Sequence, residues 1–218
     1  MQPASISRSE SRILATNKVL KNTYALLATT LFFSALMAAV SMAISPPRGL
    51  SLIAMLAALG LVFFALPRTA NSSKGLFVVF GITGLLGFAI GPMLEAYLNM
   101  AKGGEIVATA FGGTGVIFLA LSGYALTSRK DFSFMAGFLM VGLITVLVAI
   151  VANLFLQMPI LSLVISSVVI LIMSGFILYD TSAIIRGEQT NYILATVGMY
   201  LSIFNIFIHL LNILGSNR

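Results

Sequence analysis

Seven long apolar stretches separated by short polar breaks make up most of the chain: Asn22–Ser45, Leu50–Leu66, Leu76–Leu98, Ile106–Thr127, Phe132–Leu156, Ile160–Ile185 and Tyr192–Leu214. A hydrocarbon core about 30 Å thick takes about 20 residues of helix at about 1.5 Å each. Lipid offers the backbone no water to bond. A spanning run of this kind therefore satisfies its own N–H and C=O groups as a helix. The pattern predicts an all-α integral membrane protein of seven transmembrane helices, with the ends of the short second span the least sharply marked. The breaks carry turn chemistry, as in SPPRG at 45–49, PRTANSSKG at 67–75, TSRKD at 127–131, QMP at 157–159 and RGEQTN at 186–191. The expected organisation is a cytoplasmic tail over residues 1–21, partly disordered, followed by a seven-helix transmembrane domain over 22–218. The first apolar run is longer than the roughly 7–15 residues of a signal h-region, so it is expected to remain as an anchor.

Composition agrees. Of 218 residues, 59% are hydrophobic and 8% charged, and the mean hydropathy is +1.08. Soluble domains carry roughly 25% charged residues, so this chain cannot clothe a water-facing surface. The net charge of +6 would suit a nucleic-acid partner, but its distribution argues against one. With the N-terminus in the cytoplasm, Arg8, Arg12, Lys18, Lys21, Arg68, Lys74, Arg129, Lys130 and Arg186 fall inside. Only Arg48, Lys102 and Arg218 fall outside. That asymmetry is the positive-inside pattern, and it places the C-terminus in the periplasm. No cysteine is present, which excludes disulfides and thiolate metal sites.

Two spans are rich in small residues. Gly81, Gly84, Gly87 and Gly91 recur at near-helical spacing in the third, and Ala108, Gly112, Gly115 and Ser122 share a side of the fourth. Such stripes let helices approach closely, and packing faces are expected at both. Pro92 is expected to kink or end the third span. A phosphate-cradling glycine loop is excluded because the strand–turn–helix setting is missing.

Chemistry concentrates in the last two spans. Six acids are present in all: Glu10 belongs to the tail, Glu95 and Glu105 flank the loop after the third span, and Asp131 and Glu188 lie at cytoplasmic loops. Asp180 alone falls well inside a span, about one and a half turns from its end, or ~8 Å deep. A charge at that depth is costly and marks a functional candidate. Asp180 is thus the proton- or cation-sensing candidate, with Arg186 as counter-ion. In the seventh span Gly198, Ser202, Asn205, His209 and Asn212 step by four, three, four and three, which keeps them on one helical face. Such a polar stripe should turn inward, away from lipid. An enzyme site does not follow. Ser202 and His209 stand ~10 Å apart along the axis, far beyond the ~3 Å of a nucleophile–base pair. His209 is the only histidine, which rules out a multi-histidine metal site. No catalytic residue, metal or cofactor is expected.

LYDTSAII at 178–185, RGEQTNYILAT at 186–196 and YLSIFNIFIHLLNILG at 200–215 resemble the Bax inhibitor-1 family, and the resemblance covers nearly the whole chain. TNKVLKNTYALLATTLFFSAL at 16–36, GFAIGPMLEAYL at 87–98 and LTSRKDFSFMAGFLM at 126–140 are similar to its bacterial YccA-like branch. The resemblance implies six helices around a central C-terminal one. It implies a bacterial inner (cytoplasmic) membrane protein that binds and modulates the membrane AAA protease FtsH, with prohibitin-like proteins as further partners. Some relatives are pH-sensitive calcium leak channels using one aspartate from each of the last two spans. The first matches Asp180, but the second falls at Ser202. A serine cannot share a proton with a carboxylate as a second carboxylate does, and calcium prefers more than one carboxylate. A calcium or proton leak with Asp180 as sensor is therefore the alternative reading.

Overall fold

The computed structural model describes residues 3–216, with side chains from residue 14 onward except that of Arg48. The described residues fold almost wholly as helices: α1 (Pro3–Ile44), α2 (Arg48–Gly60), α3 (Leu66–Thr69), α4 (Lys74–Leu98), α5 (Gly103–Ser128), α6 (Met135–Leu156), α7 (Pro159–Ile185) and α8 (Tyr192–Ser216). Among the described residues seven segments are long and apolar enough to cross a membrane, α2 and α3 with the turn between them forming the second. The segment expected as a tail is carried by α1 from Pro3 onward, while Met1, Gln2 and the side chains of residues 3–13 lie outside the described residues. Several helices stop without glycine. Ser45, Arg129 and Gln157 take the left-handed conformation (φ 49°, 50° and 51°) that closes α1, α5 and α6.

The second span is not plain α-helix. Leu61–Ala65 forms a π turn between α2 and α3, and the Leu66 N–H reaches back five residues to Leu61 O. Pro67 follows at once, and a proline lacks the N–H that an α-helix needs while crowding the carbonyl four residues back. The wider turn makes room for it. Pro92, by contrast, does not end α4, which continues to Leu98.

The chain folds as two compact units. One comprises residues 1–96 and 184–200, and the other residues 97–183 and 201–218. The first unit is held by close backbone approach between α1 and α4. A Cβ added at Gly84 would sit 2.7 Å from the Phe33 ring, while at Gly87 and Gly91 it would run into the Ser34 carbonyl oxygen and the Ser41 side chain. Only glycine permits that contact. Around it Thr23, Thr30, Ser34, Ser41 and Thr83 are buried hydroxyls. The Tyr200 hydroxyl lies 2.6 Å from Ser34 Oγ and also donates to Thr83 O at 3.3 Å. Below them Asn191 Nδ2 donates to Ala70 O and Asn71 Oδ1.

The second unit has an aliphatic core of Leu139, Val146, Ile165, Val169, Ile172, Met173, Ile177 and Ile206. Its helices α6 and α7 exchange knobs: Leu139 packs on Gly175, and Ile172 packs on Gly142. Ser182 pins the turn before α6, donating to Lys130 O at 2.9 Å and accepting from the Phe132 N–H at 3.3 Å. Of the small-residue face expected on α5, only Ser122 is buried. Nothing lies within 4 Å of a Cβ at Gly112 or Gly115, and Ala108 is exposed. The buried side instead runs through Ile106, Ala110, Thr114, Ser122 and Ala125. The expected and observed faces have nearly the same helical spacing, and in an apolar helix spacing alone does not say which one meets protein.

Candidate functional site

Asp180 lies in α7, half-buried, five residues before that helix ends at Ile185. Beside it in sequence Thr181 and Ser182 are fully buried, and the Thr181 hydroxyl has no hydrogen-bond partner among the described residues. The candidate counter-ion has a carboxylate partner two residues on. Arg186 grips Glu188 through two parallel contacts, Nε to Oε1 at 3.0 Å and Nη2 to Oε2 at 2.6 Å. A fork of this kind matches a carboxylate well, and Gly187 between them, at φ 74°, supplies the turn that brings the two side chains together.

Along α8 the four stripe residues behave differently. Ser202 is buried at 3% exposure. Asn205 turns its amide back on its own helix, donating to Leu201 O at 2.8 Å, and so satisfies itself locally. His209 and Asn212 reach a second helix. His209 Nδ1 is 3.0 Å from Ser166 Oγ, and Asn212 Nδ2 donates to both Ser162 Oγ and Ser166 Oγ at 2.9 Å. Both serines belong to α7, but they lie ~21 and ~27 Å along its axis from Asp180 at about 1.5 Å per residue. The lower stripe of α8 therefore meets α7 at the end opposite Asp180.

Sequence reasoning missed Ser162 and Ser166. The signal was present: two serines four apart in one span face an imidazole and an amide three apart in the next, and a polar pair inside lipid needs a partner pair. Among the described residues no group of three or more His, Cys, Asp or Glu side chains could hold a metal ion. The polar groups of the lower stripe form a small hydrogen-bonded cluster between α7 and α8.

The seven spans, the Asp180-bearing α7 and the polar edge of α8 define a polytopic α-helical membrane protein. A family profile, described as inhibitor of apoptosis-promoting Bax1, matches residues 16–218. The chain belongs to the Bax inhibitor-1 family. It is 54% identical over 207 residues to a membrane protein of Vibrio cholerae, covering 95% of this chain and 93% of that one. It is 48% identical over 211 residues to the modulator of FtsH protease YccA of Escherichia coli K12, covering 97% and 95%. The E. coli O6:H1 counterpart, equally similar, is named inner membrane protein YccA.

Proposed function

We propose that this protein resides in the bacterial inner membrane, associates with the membrane AAA protease FtsH and restrains its degradation of other membrane proteins. The observation that carries the reading is end-to-end similarity to a protein named as a modulator of that protease, at 48% identity with no large part of either chain left out. The positive-inside asymmetry adds a cytoplasmic N-terminus, where residues 1–21 are within reach of an ATP-driven protease. Prohibitin-like proteins are further partners under the same reading. The test is a pull-down of tagged protein from detergent-solubilised membranes. FtsH is expected in the eluate, and deletion of Met1–Ser11 is expected to reduce it without loss of membrane insertion. An eluate without FtsH removes the proposal, while recovery unchanged by the deletion removes the tail from it.

The half-buried Asp180 inside a span supports a second reading, a pH-sensitive calcium or proton leak. Calcium flux into vesicles holding the purified protein, measured against pH for the native chain and for Asp180→Asn, separates the two. Flux altered by the substitution favours the leak, and flux absent from both leaves association as the function.

A further inference from the structure

The second unit contains a cavity of about 220 Å³ where the end of α6, the start of α7 and the C-terminal half of α8 meet, lined by Ile150, Asn153, Leu154, Ser162, Ile165, Ser166, His209 and Asn212. Neither the protease reading nor the leak reading uses it. Its polar groups are mostly donors. Asn212 Nδ2 spends its two protons on Ser162 and Ser166. Ser166 Oγ stands 3.0 Å from His209 Nδ1, and with the hydroxyl donating to that nitrogen the ring proton sits on Nε2. Asn153 accepts from the Met158 N–H through Oδ1 at 3.1 Å, so its Nδ2 group remains to donate. The Ser162 hydroxyl proton is a further donor. Among the described residues, His209 Nε2 and Asn153 Nδ2 have no partner, and neither atom is sealed from its surroundings. Unspent donors in a bilayer call for an acceptor.

Depth and surroundings say which. Asn153 lies in the last turn of α6 and Ser162 in the first turn of α7, so the cavity begins within ~5 Å of the helix ends. That is the level where the hydrocarbon gives way to the headgroup layer. The neighbouring side chains Val151, Leu154, Phe155 and Ile160 are large, apolar and exposed. No lysine, arginine, aspartate or glutamate lines the cavity. We infer that this cavity is a phospholipid-binding site, in which Asn153, Ser162 and His209 donate to the ester and phosphate oxygens of one lipid while its acyl chains lie along the exposed face of α6. Neutral donors hold those oxygens without distinguishing an anionic headgroup from a zwitterionic one.

The experiment is native mass spectrometry of full-length protein delipidated in detergent and titrated separately with dioleoyl phosphatidylethanolamine, dioleoyl phosphatidylglycerol and inorganic phosphate. One phospholipid should bind with similar affinity for both headgroups, and inorganic phosphate should neither bind nor compete. Asn153→Asp keeps the bond from Met158 but removes the donors, and it should weaken that binding about tenfold. Leu154→Trp leaves every hydrogen bond in place and fills the mouth of the cavity, so it should abolish the tight event even if the first variant folds poorly. Val116→Ala, on the exposed face of α5 and outside the cavity lining, should change nothing. Binding of lipid that is equal in the native chain, Asn153→Asp and Leu154→Trp overturns the inference, as does displacement of lipid by phosphate alone.

Discussion

The two units solve the same problem, holding helices together where lipid gives no hydrophobic drive, in different ways. In the first, α4 presents Gly84, Gly87 and Gly91 to α1 so closely that backbone oxygens and serine side chains fill the space where Cβ atoms would stand. In the second, branched aliphatic side chains interlock, and Gly142 and Gly175 merely receive a neighbour's tip, from Ile172 and Leu139. Polar groups follow suit. The first unit buries scattered single hydroxyls, such as Thr30 bonded to Leu27 O and Ser34 bonded to Tyr200, whereas the second gathers an imidazole, an amide and two serines at one end. Close backbone contact tolerates no added atom, while interlocked side chains can shift. The first unit should therefore be the more brittle under substitution.

The sharpest break in that contrast is Gly87→Ala against Gly112→Ala. The first forces a methyl onto the Ser34 carbonyl oxygen and should cost about 2–3 kcal/mol. The second meets open space and should cost nothing or stabilise slightly, since alanine favours a helix over glycine. Thermal unfolding in one detergent, followed by circular dichroism, compares them directly, and equal melting temperatures would erase the distinction. Next in size is Tyr200→Phe, which strips the hydroxyl from Ser34 and Thr83 O and should cost about 1 kcal/mol, in line with buried hydrogen bonds in membrane bundles. The same measurement on Ser34→Ala should reveal coupling: if the two losses simply add, the bond between them contributes little. The smallest effect is expected for Arg186→Gln. Its partner Glu188 is more than half exposed, and solvent-screened pairs contribute about 0–1 kcal/mol. A larger drop would mean the turn after α7 carries more of the structure than its ion pair implies.

Much of the fold was legible because span length is set by the bilayer and apolar runs are easy to count. The expected third, sixth and seventh spans differ from α4, α7 and α8 by no more than a couple of residues at either end. The first span begins far earlier than expected. Polar residues after Pro3 interrupt the apolar run, yet they do not forbid a helix, and hydropathy marks lipid contact rather than helix ends. The fifth begins later, because Phe132 is apolar but belongs to the turn that Ser182 pins. The polar stripe of α8 was legible as a face, since a step of three or four residues fixes which side chains stand together. What each member bonds was not, because that depends on the helix opposite. Asn205 resolves its needs within its own turn, and His209 and Asn212 find Ser162 and Ser166. Orientation of α5 was illegible for a related reason: when both sides of a helix are apolar or small, composition does not separate lipid from protein.

The wide turn at Leu61–Ala65 gives the second span one residue more than its height requires. Shortening the chain by one there would convert the turn to ordinary helix and leave everything after it facing the same way. The same deletion in α4 or α8 would swing the remainder by about 100° and carry greasy side chains inward and glycines out to the lipid. Length variation among proteins of this architecture should thus be absorbed just ahead of Pro67, a slack link in an otherwise tightly indexed assembly.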